Sequence, residues 1–326
     1  MNKQDIRIVF MGTPDFAVPT LDALVTGGYN VVGIITMPDK PAGRGHKVQY
    51  SPVKQYALDH QLPLLQPEKL KDEQFLADLR SWHADLQIVV AFRMLPEVVW
   101  NMPRMGTFNL HAALLPQYRG AAPLNWAVIN GDTVTGCTTF FLDEQIDTGR
   151  IILKEPMEIG AEENVGSVHD RMMEMGKGLV TRTVDLLVEA EGDVSRIPTI
   201  DQATLLQDLE ASTGIKELRP APKIFKETCE LHYDQPVRRL HNLVRGLSPY
   251  PAAWTTLHDI TPIKVFRTSI VSEGKPQPAE LIGHIDTDNK NYLHITCADG
   301  ILALEELQLP GKKRMEIRAL LNGFHF

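Results

Sequence analysis

Two residues at the end of one predicted strand carry the first chemical signal. Asn109 and His111 stand two apart, and the two-residue period of a strand puts both side chains on one face. A carboxamide and an imidazole aimed at one point can polarise a carbonyl group and move a proton. A hydrogen-bonded structural histidine is the alternative that residue type alone leaves open. Ala112, Ala113, Leu114, Leu115 and Pro116 follow as an apolar run, and then come Tyr118, Arg119 and Gly120. An aspartate close to the imidazole would fix its tautomer and favour its charged form. Asp147 is a candidate, in Asp143-Glu144-Gln145-Ile146-Asp147-Thr148-Gly149-Arg150 after another predicted strand. Three carboxylates crowd that stretch and spacing does not choose among them. An aspartate shortly before a glycine also suits a plain turn.

Two more segments are candidates for binding anions. Gly12-Thr13-Pro14-Asp15 follows the first strand and opens a helix, where an α/β protein can cradle an anion. It has neither the G-x-G-x-x-G pattern nor a Walker lysine, so a nucleotide cofactor is not supported, and a plain strand-to-helix turn is the alternative. Residues 38–47 form an insert longer than a usual strand-to-helix loop. Lys40, Arg44, Lys47 and the nearby Lys54 make it basic. Such a loop can grip phosphates or can simply be a solvated surface. The same two readings hold for Lys312-Lys313-Arg314. No metal is expected, because H-x-H, H-E-x-x-H and C-x-x-C are all absent from the sequence. G-x-S-x-G is absent too, and Cys137 sits in an apolar run that suits a core position.

These residues need a scaffold, and the hydrophobic pattern supplies one. Residues 6–10, 31–35, 86–92, 107–110, 137–142 and 151–159 are predicted strands. Residues 15–24, 51–60, 75–82, 123–129 and 166–189 are predicted helices, with Ser51 as N-cap and Pro52 at the first position of the second. Continuous apolar strands between helices predict a doubly wound, mostly parallel, Rossmann-like α/β sheet over residues 1–191. Residues 192–215 are polar, show no clear period and read as a linker. An amphipathic basic helix over 236–247 then opens a C-terminal domain at 216–326. Short strands are predicted at 253–257, 263–271, 281–285, 292–297 and 301–307, which suggests a small oligonucleotide-binding-like β-barrel.

Composition agrees with a two-domain globular protein: the chain has 326 residues, 43% hydrophobic and 23% charged. Cys137, Cys229 and Cys297 are odd in number and far apart, which excludes a disulfide framework and suits a reduced compartment. No apolar run approaches the length of a membrane span, and Met1-Asn2-Lys3 leads into a strand-like segment without a signal-peptide pattern. A cytoplasmic protein without a membrane partner is the expectation. The net charge is −8, but residues 1–215 hold −10 and residues 216–326 hold +2. That asymmetry hints at a polyanion partner for the C-terminal part.

Over nearly its whole length the sequence resembles the methionyl-tRNA formyltransferases. The resemblance rests on Gly12-Thr13-Pro14-Asp15-Phe16-Ala17, on the 38–45 loop with Ser51-Pro52-Val53-Lys54, and on Asn109-x-His111 with Leu114-Leu115-Pro116. Tyr118-Arg119-Gly120-Ala121-Ala122-Pro123, Ile146-Asp147-Thr148-Gly149 and Leu247-Ser248-Pro249-Tyr250-Pro251 complete it. It implies a formyltransferase-type catalytic domain and a tRNA-binding barrel in a monomer. The formyl donor would be 10-formyltetrahydrofolate, used as co-substrate without a metal. The acceptor would be the free α-amine of initiator Met-tRNA. By the resemblance Asn109 and His111 stabilise the oxyanion, and Asp147 shares proton handling with His111. Ala113, Leu114, Leu115 and Pro116 line the folate pocket mainly through backbone, with Phe92 beside the pterin. Lys40, Arg44 and Lys47 meet the acceptor stem. Two departures stand out. Ala113 takes the place of the family's usual serine, and Phe92-Arg93-Met94-Leu95-Pro96 is one residue shorter than its Tyr-Gly turn.

Two other classes compete with this reading. A related formyltransferase acting on a small amine would need neither the basic insert nor the barrel. An RNA-binding module with a decayed α/β domain would not need Asn109, His111 and Asp147 together.

Overall fold

In the computed structural model the residues described are 1–42, 47–213 and 217–326. The strands are β1 (Arg7–Gly12), β2 (Asn30–Ile35), β3 (Lys40–Ala42), β4 (Lys47–Gln49), β5 (Leu64–Leu65), β6 (Leu86–Val90), β7 (Thr107–His111), β8 (Val134–Phe141) and β9 (Ile151–Glu158), followed by β10 (Ala253–Leu257), β11 (Ile260–Ser272), β12 (Ile285–Thr287), β13 (Leu293–Thr296), β14 (Ile301–Gln308) and β15 (Met315–Glu316). The helices are α1 (Val18–Thr26), α2 (Pro52–Asp59), α3 (Glu73–Ser81), α4 (Glu97–Trp100), α5 (Pro123–Ile129), α6 (Val165–Glu189), α7 (Gln202–Thr213), α8 (Val237–Leu247) and α9 (Ile317–Leu321). None of the described helices is long and apolar enough to cross a membrane.

A seven-stranded sheet runs in the order β5-β2-β1-β6-β7-β8-β9. The pairs from β5 through β7 are parallel, and β8 lies antiparallel to β7. All five residues of β6 are buried, as expected of an apolar strand covered on both faces. Ser51 caps α2 by accepting the Lys54 N–H at 3.1 Å, and Asp72 caps α3 by accepting that of Phe75 at 3.0 Å. The 25-residue helix α6 passes close to β7. A Cβ on its Gly176 would stand 2.8 Å from Leu110, so the glycine allows that approach. β5, α4 and the β3–β4 hairpin are too short to leave a period in the sequence.

By packing, the chain forms two compact units. One comprises Met1–Gly120, Gly136–Met157 and His169–Pro220; the other comprises Ala121–Thr135, Glu158–Val168 and Ala221–Phe326. Sequence boundaries at 191 and 216 treat each domain as continuous, whereas two short segments from the first half go with the second unit. The reason is apolar burial. Ile129 and Trp126 of α5 join the core of Leu240, Val244 and Leu247 from α8. Gly246 lets the two helices meet, since a Cβ there would lie 2.4 Å from Ile129.

The second unit is a curled antiparallel half-barrel, ordered β10-β11-β14-β13-β12 with β15 on β14. Register shifts at 265–267, 267–268 and 270–272 bend the long strand β11 against β14. Two sequence expectations are corrected. The strand predicted at 281–285 is a 3₁₀ turn, Ala279–Leu281, with β12 starting only at Ile285. The polar stretch 192–215 contains helix α7, and Asp201 opens it by accepting the Ala203 N–H at 2.8 Å. The start signal was present, but no apolar period followed it.

Candidate active site

β7 ends with Asn109 and His111, as the two-residue spacing predicts. Both lie on the face set by the register of β8, where Asn109 pairs with Phe140 and His111 with Thr138. His111 is only 5% exposed and meets the Phe140 ring edge-on at 6.3 Å. Its Nε2 lies 2.8 Å from the Tyr118 carbonyl oxygen. A carbonyl only accepts, so Nε2 carries the proton and Nδ1 is the atom that can gain or lose one. Nδ1 faces Asp147 Oδ2 at 3.8 Å, beyond direct hydrogen bonding and within reach through one water. Burial, the largest influence, lowers the His111 pKa from its ordinary value. Asp147 and the Tyr118 carbonyl oppose that shift, and Arg119 adds to it. Burial thus favours the neutral ring, whose free nitrogen faces a carboxylate. The half-buried Asn109 amide takes no protein hydrogen bond among the described residues.

Asp147 is distinguished from Asp143 and Glu144 by its anchoring. Its Oδ2 accepts the Gly120 N–H at 2.9 Å, and its φ of +57° places it in the left-handed region. Gly149 lets that loop lie against β8, because a Cβ there would stand 1.6 Å from the Phe141 carbonyl oxygen. Asp143 instead accepts the Thr148 hydroxyl at 2.6 Å. Three partners in this arrangement are not marked by their residue type. The Tyr118 and Gly120 contributions come from backbone. Gln202, 2% exposed, accepts from Arg119 at 2.7 and 3.2 Å and lies in a stretch without a period.

The side chains of the Ala113–Pro116 run are largely internal. Ala113 is fully buried and Leu115 is 1% exposed, packed with Phe140 and Ile151. Thr138 ties both backbones by donating to the Ala113 carbonyl at 2.7 Å and accepting the Leu115 N–H at 3.1 Å. A serine hydroxyl at 113 would thus sit inside packed structure. Pro116 is buried and Leu114 half-buried. Phe92 packs half-buried against the β6 core, and Leu142 touches both that core and the Leu115 cluster. The shortened turn is pinned by Arg93, which donates to the Pro67 and Glu68 carbonyls.

Of the basic insert, Arg44 lies outside the described residues, and for Lys40 and Lys47 only the strand backbone is described. The nearby Lys54 is an internal charge. Its side chain is 11% exposed and pairs with Asp39, with Nζ 3.9 Å from the Tyr50 ring centroid. Asp39 also accepts from Gln66 at 2.9 Å. Lys54 and Gln66 hold the Asp39 carboxyl below its ordinary pKa. These residues brace both ends of the β3–β4 hairpin. Among the described residues no His, Cys, Asp or Glu cluster could hold a metal.

Residues 6–184 match the model of the formyl transferase family, and residues 223–325 match that of the formyl transferase C-terminal domain. A methionyl-tRNA formyltransferase of Bacteroides fragilis is 61% identical over 330 residues, covering 100% of this chain and 97% of the relative. One from Bacteroides thetaiotaomicron is 57% identical, covering 99% and 97%. Among solved structures, WlaRD, a sugar 3N-formyl transferase crystallised with dTDP and 5-N-formyl-THF, shares the fold. Its TM-score is 0.64 at 16% identity, covering 94% of this chain and 99% of that one.

Proposed function

The chain belongs to the methionyl-tRNA formyltransferase family, and from that premise we propose that it transfers the formyl group of 10-formyltetrahydrofolate to the free α-amine of methionyl initiator tRNA in the cytoplasm. One arrangement carries the reading: a buried neutral imidazole whose only free nitrogen faces an anchored carboxylate, two residues from an uncommitted amide. The fit to a formyl donor rests on that donor set. The donor supplies an electrophilic formyl carbon, and the amine is its nucleophile. Asn109 donates an amide N–H to the formyl oxygen as charge gathers there. His111 accepts the proton that the amine loses, at Nδ1, because Nε2 is committed to Tyr118. Asp147 then steadies the imidazolium, whose Nδ1–H becomes a second donor beside the growing oxyanion. As the oxyanion collapses, the bond between the formyl carbon and the donor nitrogen breaks, and the imidazolium returns its proton to that departing nitrogen of tetrahydrofolate. The ring thus takes a proton before it gives a hydrogen bond, which refines the oxyanion role implied by resemblance. Leu114, Pro116 and Phe92 flank the donor, and Ala113 and Leu115 support that wall from behind. Lys40, Arg44 and Lys47 meet the acceptor stem, Lys54 and Asp39 brace strands β3 and β4, and the half-barrel carries the tRNA backbone.

The decisive experiment is formyl transfer from 10-formyltetrahydrofolate to charged initiator tRNA, beside elongator Met-tRNA and free methionine. Initiator-selective transfer that falls about a hundredfold in Asp147→Asn is the expected result. Binding of tRNA without transfer to any acceptor would sink the enzyme reading. Absence of both would point to a small-amine acceptor.

A further inference from the structure

Gln202 is the first residue of α7, in a stretch whose composition gives no hint of a role. Its carboxamide uses its full hydrogen-bonding capacity on the candidate site. Oε1 accepts Arg119 Nη2 at 2.7 Å and Nε at 3.2 Å. Nε2 donates to the Asp147 carbonyl at 3.0 Å and the Gly149 carbonyl at 2.8 Å. The chain leading to it is fastened to the same loop. Ile151 and Ile200 exchange both backbone hydrogen bonds, at 2.9 and 2.8 Å. Arg150 holds the Thr199 hydroxyl at 2.7 Å, the Thr199 carbonyl at 3.0 Å and Asp201 at 3.2 Å. Residues 199–202 thus form a rigid back wall for the loop that carries Asp147.

We infer that Gln202 is a positioning residue for the proposed formyl transfer: it fixes the backbone on either side of the Asp147 turn and holds the Arg119 guanidinium beside the His111–Asp147 pair. No other side chain fits both tasks. Glutamate cannot donate to two carbonyls, and asparagine is one methylene short. A shift of about 1 Å in such a group is enough to cost about a hundredfold in rate. The charged groups facing His111 are Asp147, which favours its protonation, and Arg119, which opposes it. Asp143 and Asp147 in turn act on Arg119. Holding Arg119 in place therefore keeps the imidazole free to accept the amine proton.

The inference rests on the proposed activity, but its test includes a readout that does not. In Gln202→Glu the new carboxylate keeps the Arg119 contact and offsets its charge. The His111 ring signals in NMR should then titrate at higher pH than in the wild type. In Gln202→Met, which keeps the volume, kcat should fall about tenfold to a hundredfold, with KM for donor and tRNA within about twofold. An unmoved His111 titration in Gln202→Glu would overturn the inference, as would a Gln202→Met enzyme with wild-type kcat or with its loss entirely in KM. A wild-type protein without formyl transfer would instead overturn the proposed function, and the titration would still decide the placement of Arg119.

Discussion

Among the described residues two histidines are buried beside carboxylates, one in each unit. His111 is 5% exposed and His241 is 3% exposed. Burial pushes both below the ordinary histidine range, a carboxylate opposes that shift, and an arginine reinforces it. His241 Nδ1 lies 3.1 Å from the Thr268 hydroxyl and Nε2 lies 3.3 Å from Glu162. The partners differ. The Asp147 side chain is 13% exposed and anchored by Gly120, with Gln202 on its backbone. The Glu162 side chain is 72% exposed. Near His241, Arg245 fastens the 158–168 segment to α8 through the Gly160 and Glu163 carbonyls. A buried imidazole beside a carboxylate is therefore a common structural solution. In both sites one ring nitrogen faces a carboxylate without a hydrogen bond, and what differs is the carboxylate: Asp147 is mostly buried and anchored, Glu162 exposed.

The contrast breaks most sharply under mutation. His111→Ala should lower kcat about a thousandfold while tRNA affinity stays near the wild-type value, measured by single-turnover formylation and filter binding. His241→Gln should leave kcat within about threefold and instead cost about 1–3 kcal/mol of stability in denaturant unfolding. Equal losses of turnover in both variants would erase the distinction between the two histidines.

A smaller effect is expected at the braced hairpin. Lys54→Met leaves Asp39 without its cation and loosens both stems of β3–β4. KM for tRNA should rise about three- to tenfold with kcat and donor KM unchanged. A fall in kcat instead would place Lys54 in the chemistry.

The smallest effect concerns pH. Because burial lowers the His111 pKa, the base form persists to more acid pH than for a free histidine. The acid limb of kcat should lie below the ordinary histidine range. In Glu162→Gln the loss of a favourable negative charge should move the His241 titration lower still, without touching turnover. Movement of the kinetic limb in that variant would mean that the two histidines are not independent.

The sequence carried the scaffold better than the wiring. Apolar runs placed β6, β7 and β8 because continuous burial leaves a continuous hydrophobic run. The two-residue period placed Asn109 and His111 together for the same geometric reason. The choice of Asp147 among three acids came from resemblance, and the Gly120 contact gives it a physical basis. Tyr118 acts through a carbonyl, which any residue owns, so no residue type could announce it. Gln202 escaped notice because a polar residue at a helix start looks like surface. Lys54 shows the converse: charge alone suits solvent, and only the Asp39 partner marks it as internal.

The interleaved units have a consequence for how the chain is made. α5 leaves the ribosome well ahead of α8, and domains fold from the N-terminal side as synthesis proceeds. The first unit ends at Pro220, so its sheet can close while Trp126 and Ile129 still await Leu240, Val244 and Leu247. For that interval a nascent chain carries an uncovered apolar helix. A message truncated between Pro220 and α8 leaves that helix bare for good, a natural handle for chaperones and proteases.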